Sequence, residues 1–537
     1  MASRTMPRTG GAEAATPPPP GAGRLNLMLS AAAGLAGLLL GAGGGFNPYD
    51  EPWFLQVLNR MAQGEVLYRD IFFGTTPLAA WMGLLAVKLA GTELLAVKTL
   101  EALCFGATVW LTLSAHRLLT GGGRIPWAAL LALMVFARPG ASGPGSLYVP
   151  LAAAAGLAAF HCFLRRFGPD RRGEWRWTAL AGAAAGACFA AKYTVGLSVM
   201  AALTAGLAIG RGRDGGAGRP RYFAAAIALA AFTAVALAAL APVVLQGGME
   251  KLWHYGLANK GSYLRQGSIS YFDVLVTQIP GIGSSSPVES LRSLYTLALA
   301  ALPLAAFGLL SAFWMARRRR GRETLWVLVF AAALATGAFP RPDSYHLSSI
   351  SPAMLLVIGY AWAGLFSHRA AWRSLLGKTV LAVLLGGLAV LSARPVLRAA
   401  SGRRVISVTR HFRGLPVDRE GLRACRAAAD SLALLAGNGG TFILSPRAGL
   451  YYLLGGMYNP TPYDYPVISA LGQAGQKEVI GLIEGGEIAA VAFDQEAARD
   501  EFMLLEGFLR DRMDPDGRVG GLEIFRPRPT RGYNSKQ

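Results

Sequence analysis

The chain has 537 residues, 53% of them hydrophobic and only 15% charged, with a formal net charge of +21. That is too apolar for an ordinary soluble protein of this size, so most of it is assigned to lipid. The cations gather in alternate short loops rather than in one stripe, a distribution that argues against nucleic acid as the partner.

The first 24 residues are rich in Pro, Gly and Ala and read as a disordered cytoplasmic tail. Apolar runs of bilayer length, roughly 17 to 25 residues, follow at Leu25–Phe46, Leu95–Leu119, Tyr222–Leu245, Leu294–Met315, Leu347–Phe366 and Leu375–Leu391. Weaker candidates are Ile125–Ala137, Leu147–Phe163, Trp177–Ala191, Val195–Ile209 and Leu325–Phe339. Between them, His116–Arg124, Arg165–Arg176, Arg211–Arg221, Arg317–Arg322 and His368–Lys378 are short and basic. Basic loops face the cytoplasm. The sequence therefore predicts an α-helical polytopic membrane protein of about eleven transmembrane helices, with an uncleaved first span and a cytoplasmic N-terminus. Residues 25–397 form the membrane domain, and the loops 47–78 and 246–292 are external. Cys104, Cys162 and Cys188 fall in spans and Cys425 outside them, which gives no disulfide framework.

The external loop 47–78, NPYDEPWFLQVLNRMAQGEVLYRDIFFGTTPL, places Asp50 and Glu51 at a hydrocarbon boundary. Charges are costly there and are usually kept for proton transfer, ion passage or a charged head group. Glu51–Gln63 has apolar residues at helical spacing and reads as a helix lying on the membrane surface. Pro77 opens an apolar stretch to Ala90 that is short for a span, hence a juxtamembrane or re-entrant helix. Lys98 and Glu101, one turn apart in the next span, are placed to pair. A later external turn, PRPDSYHLSSISP, covers Pro340–Pro352. From about residue 398 the composition becomes that of a soluble domain. Helical or strand-like patterns at Asp418–Leu435, Thr441–Leu444, Glu478–Glu484, Ile488–Phe493, Gln495–Arg510 and GLEIFRP predict a small α/β external domain over 398–537. It has no nucleotide-cradling glycine motif and reads as an accessory or acceptor-binding module.

For Asp50 and Glu51 the structural alternative is a helix start, with Asp50 as cap and Glu51 in the first turn. Arg69, Lys192, Arg341 and His346 are candidate partners for a phosphate, Arg through bidentate bonds and Lys as a point charge. Asp70 is either a further acid of the site or the partner of Arg69. Lys192 at a span end also fits a cation reaching for the interface.

The order of landmarks carries a resemblance. A first span, Asp50-Glu51, an amphipathic helix ending MAQGEVLYRD at Met61–Asp70, and a Pro-Leu helix are followed by PRPDSYHLSSISP and by YNPTPYDYP at Tyr458–Pro466. This order resembles bacterial membrane glycosyltransferases related to protein O-mannosyltransferases and to the aminoarabinose transferase of lipid A, the glycosyltransferase family 39 group with the C-type fold. The resemblance implies a polyprenyl-phosphate sugar donor, an inverting single displacement, and an acid of the first external loop as general base. That role falls to Asp50, with Glu51 supporting it or positioning the acceptor. Thr75-Thr76-Pro77-Leu78 stands where relatives often carry a histidine, so no histidine role transfers there. The implied acceptor is an envelope protein, lipid or polysaccharide on the outer face of a bacterial cytoplasmic membrane. No cofactor is established, and a divalent metal stays open but unsupported, since two or three acids without a ligand-spaced histidine make only a weak metal case. The competing function is a transporter or flippase for a lipid-linked glycan, which would place its polar groups within discontinuous spans.

Overall fold

A computed structural model describes residues 22–120, 134–135, 147–167, 174–209, 221–258, 268–282, 287–316, 321–365, 404–436, 439–495 and 502–528. Among these, six helices are long and apolar enough to cross a membrane. They are α1 (Ala22–Gly43), α4 (Leu94–Thr120), α5 (Tyr148–Arg166), α8 (Arg221–Leu245), α11 (Pro287–Ala316) and α13 (Ser344–Leu365). Between them lie α2 (Asp50–Ala62), α3 (Leu78–Ala90), α6 (Glu174–Ala191), α7 (Tyr193–Ile209), α9 (Met249–Leu252), α10 (Tyr271–Ile282) and α12 (Gly321–Ala335). The expected spans Leu375–Leu391 and most of Ile125–Ala137 lie outside the described residues.

Without a hydrophobic drive between apolar helices in lipid, close packing needs small residues where backbones meet. Gly34 of α1 faces the Ala102 carbonyl of α4, and Gly106 of α4 faces that of Ser30. Gly182 and Gly186, four residues apart on α6, abut the Ala228 and Phe232 carbonyls of α8, where any Cβ would collide. The Ala/Gly-rich composition of these segments is thus a packing requirement.

The last third of the chain forms two sheets. β1 (Arg404–Ile406) pairs antiparallel with β2 (Pro416–Asp418). A four-stranded sheet in the order β3-β4-β6-β5 joins β3 (Gly440–Leu444), β4 (Ile488–Phe493), β5 (Met513–Val519) and β6 (Leu522–Pro527). Only the β3-β4 pair in that sheet is parallel. Helices α14 (Arg419–Ala436), α15 (Ala448–Gly455), α16 (Ile468–Glu484) and α17 (Met503–Arg512) accompany it. One apolar cluster runs without a break from Phe54, Leu58 and Phe73 through Leu94 to Tyr452, Phe442 and Phe493. The four-stranded sheet therefore shares its core with the loop 47–78.

Two sequence boundaries move. Residues 344–352, expected as a turn, are the first turns of α13. Asp343 starts that helix by accepting the His346 backbone N–H at 3.0 Å, and the hydroxyls of Ser348, Ser349 and Ser351 each return to a carbonyl three residues back, at 2.7 Å. A serine-rich helix start is thereby satisfied within itself. The helix expected at Glu478–Glu484 begins at Ile468, with Gly472 at φ 52° kinking its first part.

Candidate active site

Helix α2 places the two carboxylates. Tyr49 stands at its N-cap without a capping side-chain bond, so Asp50 and Glu51 both lie inside the first turn and Asp50 is not the cap. Glu51 is buried, 5% exposed. Its Oε2 accepts the Asn47 N–H at 2.8 Å, and its Oε1 accepts Lys98 Nζ of α4 at 2.5 Å. Lys98 therefore joins α4 to α2, where the sequence paired it with Glu101. Glu101 lies in the field of the same pair, and its Oε1 has no hydrogen-bond partner.

Asp50, in contrast, has no salt bridge among the described residues and stays partly exposed. Burial pushes its carboxyl up from 3.8 to about 6, against the attraction of Arg341. Glu51 and Asp343 push the same way as burial, while a hydrogen bond from the Tyr465 side chain pulls back. Desolvation dominates because the carboxylate loses water without gaining a close counter-ion. The result is a carboxylate mostly charged at neutral pH and basic enough to accept a proton.

Arg341 and His346 meet at Asp343. Arg341 Nε stands 3.5 Å from Asp343 Oδ2, and His346 Nδ1 lies 2.8 Å from Oδ1. Despite its burial, Asp343 is held below the usual carboxylate range by the His346 contacts and by Arg341. Arg341 remains half-exposed, at 48% of its side chain.

Lys192 sits between α6 and α7, 9% exposed. Its ammonium donates to the Gly337 carbonyl at 2.7 Å and more weakly to that of Phe339 at 3.5 Å. It thus supports the segment that carries Arg341. Thr75 and Thr76 bind the same corner, donating to the Ala191 carbonyl at 3.2 Å and the Phe189 carbonyl at 2.7 Å. The threonines that replace the expected histidine position therefore tie the first external loop to the Lys192 turn.

Arg69 and Asp70 form a bidentate pair, at 3.0 and 2.9 Å. Asp70 also accepts the Val66 N–H at 2.8 Å, and the Arg69 bond is the largest cause of its lowered pKa. These two residues close their own turn, apart from the Asp50, Arg341 and His346 group.

Sequence reasoning missed the residues that fix the other end of α2. Arg60, 3% exposed, bonds Glu65 through Nε at 2.9 Å, Asp464 through Nη1 at 2.9 Å, and the carbonyls of Thr461 and Asp70. Asp464 is buried and takes a second bond from Asn459 at 3.0 Å. Tyr465, next in the chain, tilts against Trp53 with ring centroids 5.6 Å apart. Gly449 of α15 lets Trp53 approach so closely that a Cβ would meet its backbone at 2.7 Å. The only sequence signal was YNPTPYDYP, recognised as a landmark without a contact to assign. Among the described residues no group of three or more His, Cys, Asp or Glu stands together as a metal site.

This architecture is the C-type glycosyltransferase fold, and the chain is a multi-pass membrane protein. No family model matches the sequence, and no curated protein matches it. Among solved structures it is similar to ArnT from Cupriavidus metallidurans bound to undecaprenyl phosphate, at 15% identity and TM-score 0.56 over 94% of this chain and 98% of that one. It is also similar to the oligosaccharyltransferase of Archaeoglobus fulgidus in complex with Zn and sulfate, at 11% identity and TM-score 0.51 over 89% of this chain and 71% of that one. A third likeness is the arabinofuranosyltransferase AftD from Mycobacteria, at 14% identity and TM-score 0.51, covering 94% of this chain and 40% of that much longer one.

Proposed function

We propose that this protein is a glycosyltransferase that moves a sugar from a polyprenyl phosphate to an envelope acceptor, with inversion, at the external face of a bacterial cytoplasmic membrane. The observation that carries this function is Asp50, a desolvated carboxylate poised near pH 6 and facing Arg341 at the mouth of the first span. The ArnT likeness, in a structure bound to undecaprenyl phosphate, supports the donor class.

In this mechanism Asp50 removes the proton of the acceptor hydroxyl as its oxygen attacks the anomeric carbon. The bond from that carbon to the phosphate oxygen breaks on the opposite side, and the departing phosphate gains negative charge. Arg341, half-exposed and tethered by Asp343, stabilises that charge. His346 orients Asp343, and Lys192 supports the backbone beneath Arg341. Glu51, locked to Lys98, holds the first turn of α2 so that Asp50 keeps its place. Arg69 and Asp70 shape the loop and bind the donor only at its rim. The N-terminus then lies in the cytoplasm and the domain 398–537 outside, beyond the membrane domain 25–397 and the tail 1–24.

Mass spectrometry of lipid-linked sugars and envelope glycans, from cells with and without the protein, tests the proposal. Loss of the protein is expected to accumulate one polyprenyl-phosphate sugar and to remove one glycan modification. An unchanged lipid-linked pool and glycan profile would overturn it. Accumulation of that lipid on the cytoplasmic face alone would instead indicate a flippase.

A further inference from the structure

The external domain, read from sequence as an accessory, reaches the candidate base directly. We propose that Tyr465 is a positioning residue of the site, its hydroxyl holding the Asp50 carboxylate in the orientation that accepts the acceptor's proton. The inference rests on Asp50 as general base and assigns the α/β domain a working part of the same site.

Three observations carry it. Tyr465 donates from its side chain to Asp50. Its ring lies against Trp53, one turn along α2 from Asp50 and on the same face. The residue before it, Asp464, is fastened to Arg60 and Asn459, and the Pro462 carbonyl accepts the Phe72 N–H at 2.8 Å. The segment carrying Tyr465 is thus fastened both to the last turn of Asp50's helix and to the chain that follows it. A tyrosine needed only for packing would use its ring alone. Here the hydroxyl also acts on Asp50, the one carboxylate of the loop without an ion-pair partner among the described residues.

A hydrogen bond donated to the charged form favours that form. Removing the hydroxyl therefore makes Asp50 harder to ionise and moves its titration to higher pH. The other groups that act on Asp50 stay in place in such a variant. They are Glu51 of its own helix, with Lys98 and Glu101 behind it on α4, and Arg341 and Asp343, with His346, ahead of α13.

The test is an infrared pH titration of the full-length protein in lipid nanodiscs, following the carbonyl band of protonated Asp50, assigned by its loss in Asp50→Asn. The unsubstituted protein is expected to titrate at about 6. Tyr465→Phe, which keeps the ring on Trp53, is expected to raise that midpoint by about half to one pH unit, the scale of one hydrogen bond. Arg341→Gln serves as the sensitivity control and moves it in the same direction. A midpoint unmoved in Tyr465→Phe while Arg341→Gln shifts would overturn the inference. So would a band that does not titrate between pH 4 and 8. Neither result depends on turnover, so the glycosyltransferase function stands or falls separately, through the lipid and glycan profiles.

Discussion

The two ends of α2 solve the same problem in opposite ways. At its last turn Arg60 is buried and fully met, by two carboxylates and two carbonyls drawn from the loop and the external domain. At its first turn Asp50 is desolvated and left without a close cation, and its acidity falls accordingly. Thirteen residues of helix thus hold an ion-paired charge at one end and a carboxylate without an ion pair at the other. The difference teaches where stability and chemistry reside: the Arg60 end fixes the geometry so that the Asp50 end can stay desolvated without an ion pair.

Breaking the satisfied end has the largest expected effect. Arg60→Met leaves Asp464 and Glu65 without their counter-ion, and loss of one partner from a buried pair costs about 3 to 5 kcal/mol. Thermal melts of purified protein should show a marked loss of stability. An unchanged melting temperature would mean that the network is ornamental and the contrast false.

Asp50→Asn should do the reverse. It removes the proton acceptor, so turnover is expected to fall by about 10²- to 10⁴-fold. The desolvated charge also disappears, so at pH 7 the variant should be no less heat-stable than its parent. A folded variant that retains near-normal transfer would return the base role to another residue.

Arg341→Ala sharpens the contrast from the phosphate side. Loss of a charge-assisted contact costs about 1.5 to 3 kcal/mol, so donor affinity should weaken by roughly 10- to 150-fold. Equal donor affinity in a lipid-binding assay would remove Arg341 from the site.

The smallest effect is graded. A base with its pKa raised to about 6 is active above that pH and is lost as pH falls through it. Transfer should decline toward tenfold per unit below pH 6 in the parent protein. The sign is opposite for stability, because the folded carboxyl binds its proton more tightly than the unfolded one, so this group favours folding below about 4 and ceases to do so as pH rises past about 6. A profile flat down to pH 4.5 would contradict the raised pKa of Asp50.

What the sequence made legible follows from periodicity and boundary chemistry. The apolar helices at Tyr222–Leu245 and Leu294–Met315, the helix from Glu51, and the strands at Thr441 and Ile488 are all local patterns, and each is present, the second beginning earlier, at Pro287. The acidic pair was conspicuous because charge at an apolar boundary is rare. The division of labour within it was not, since it depends on Lys98 of α4 claiming Glu51. The serine-rich start of α13 was hidden because its hydroxyls imitate turn chemistry while bonding within the helix. Arg60, Asp464 and Tyr465 were out of reach, because nothing in a single sequence pairs residues so far apart. Thr75 and Thr76 could be seen only as a departure, and their bonds to Phe189 and Ala191 explain the pair by position rather than pattern.

The separation of Arg60 from Asp464, 404 residues, also sets a timetable for biogenesis. At synthesis rates of about 5 to 20 residues per second, Arg60 waits roughly 20 to 80 seconds for its partner to leave the ribosome. During that interval the loop 47–78 lacks the domain that covers it, with its aromatic residues exposed and α2 without its Asp464 contact. A chain cut short before Asp464 is therefore an exposed substrate for proteases, and the same late bond completes the packing around the loop.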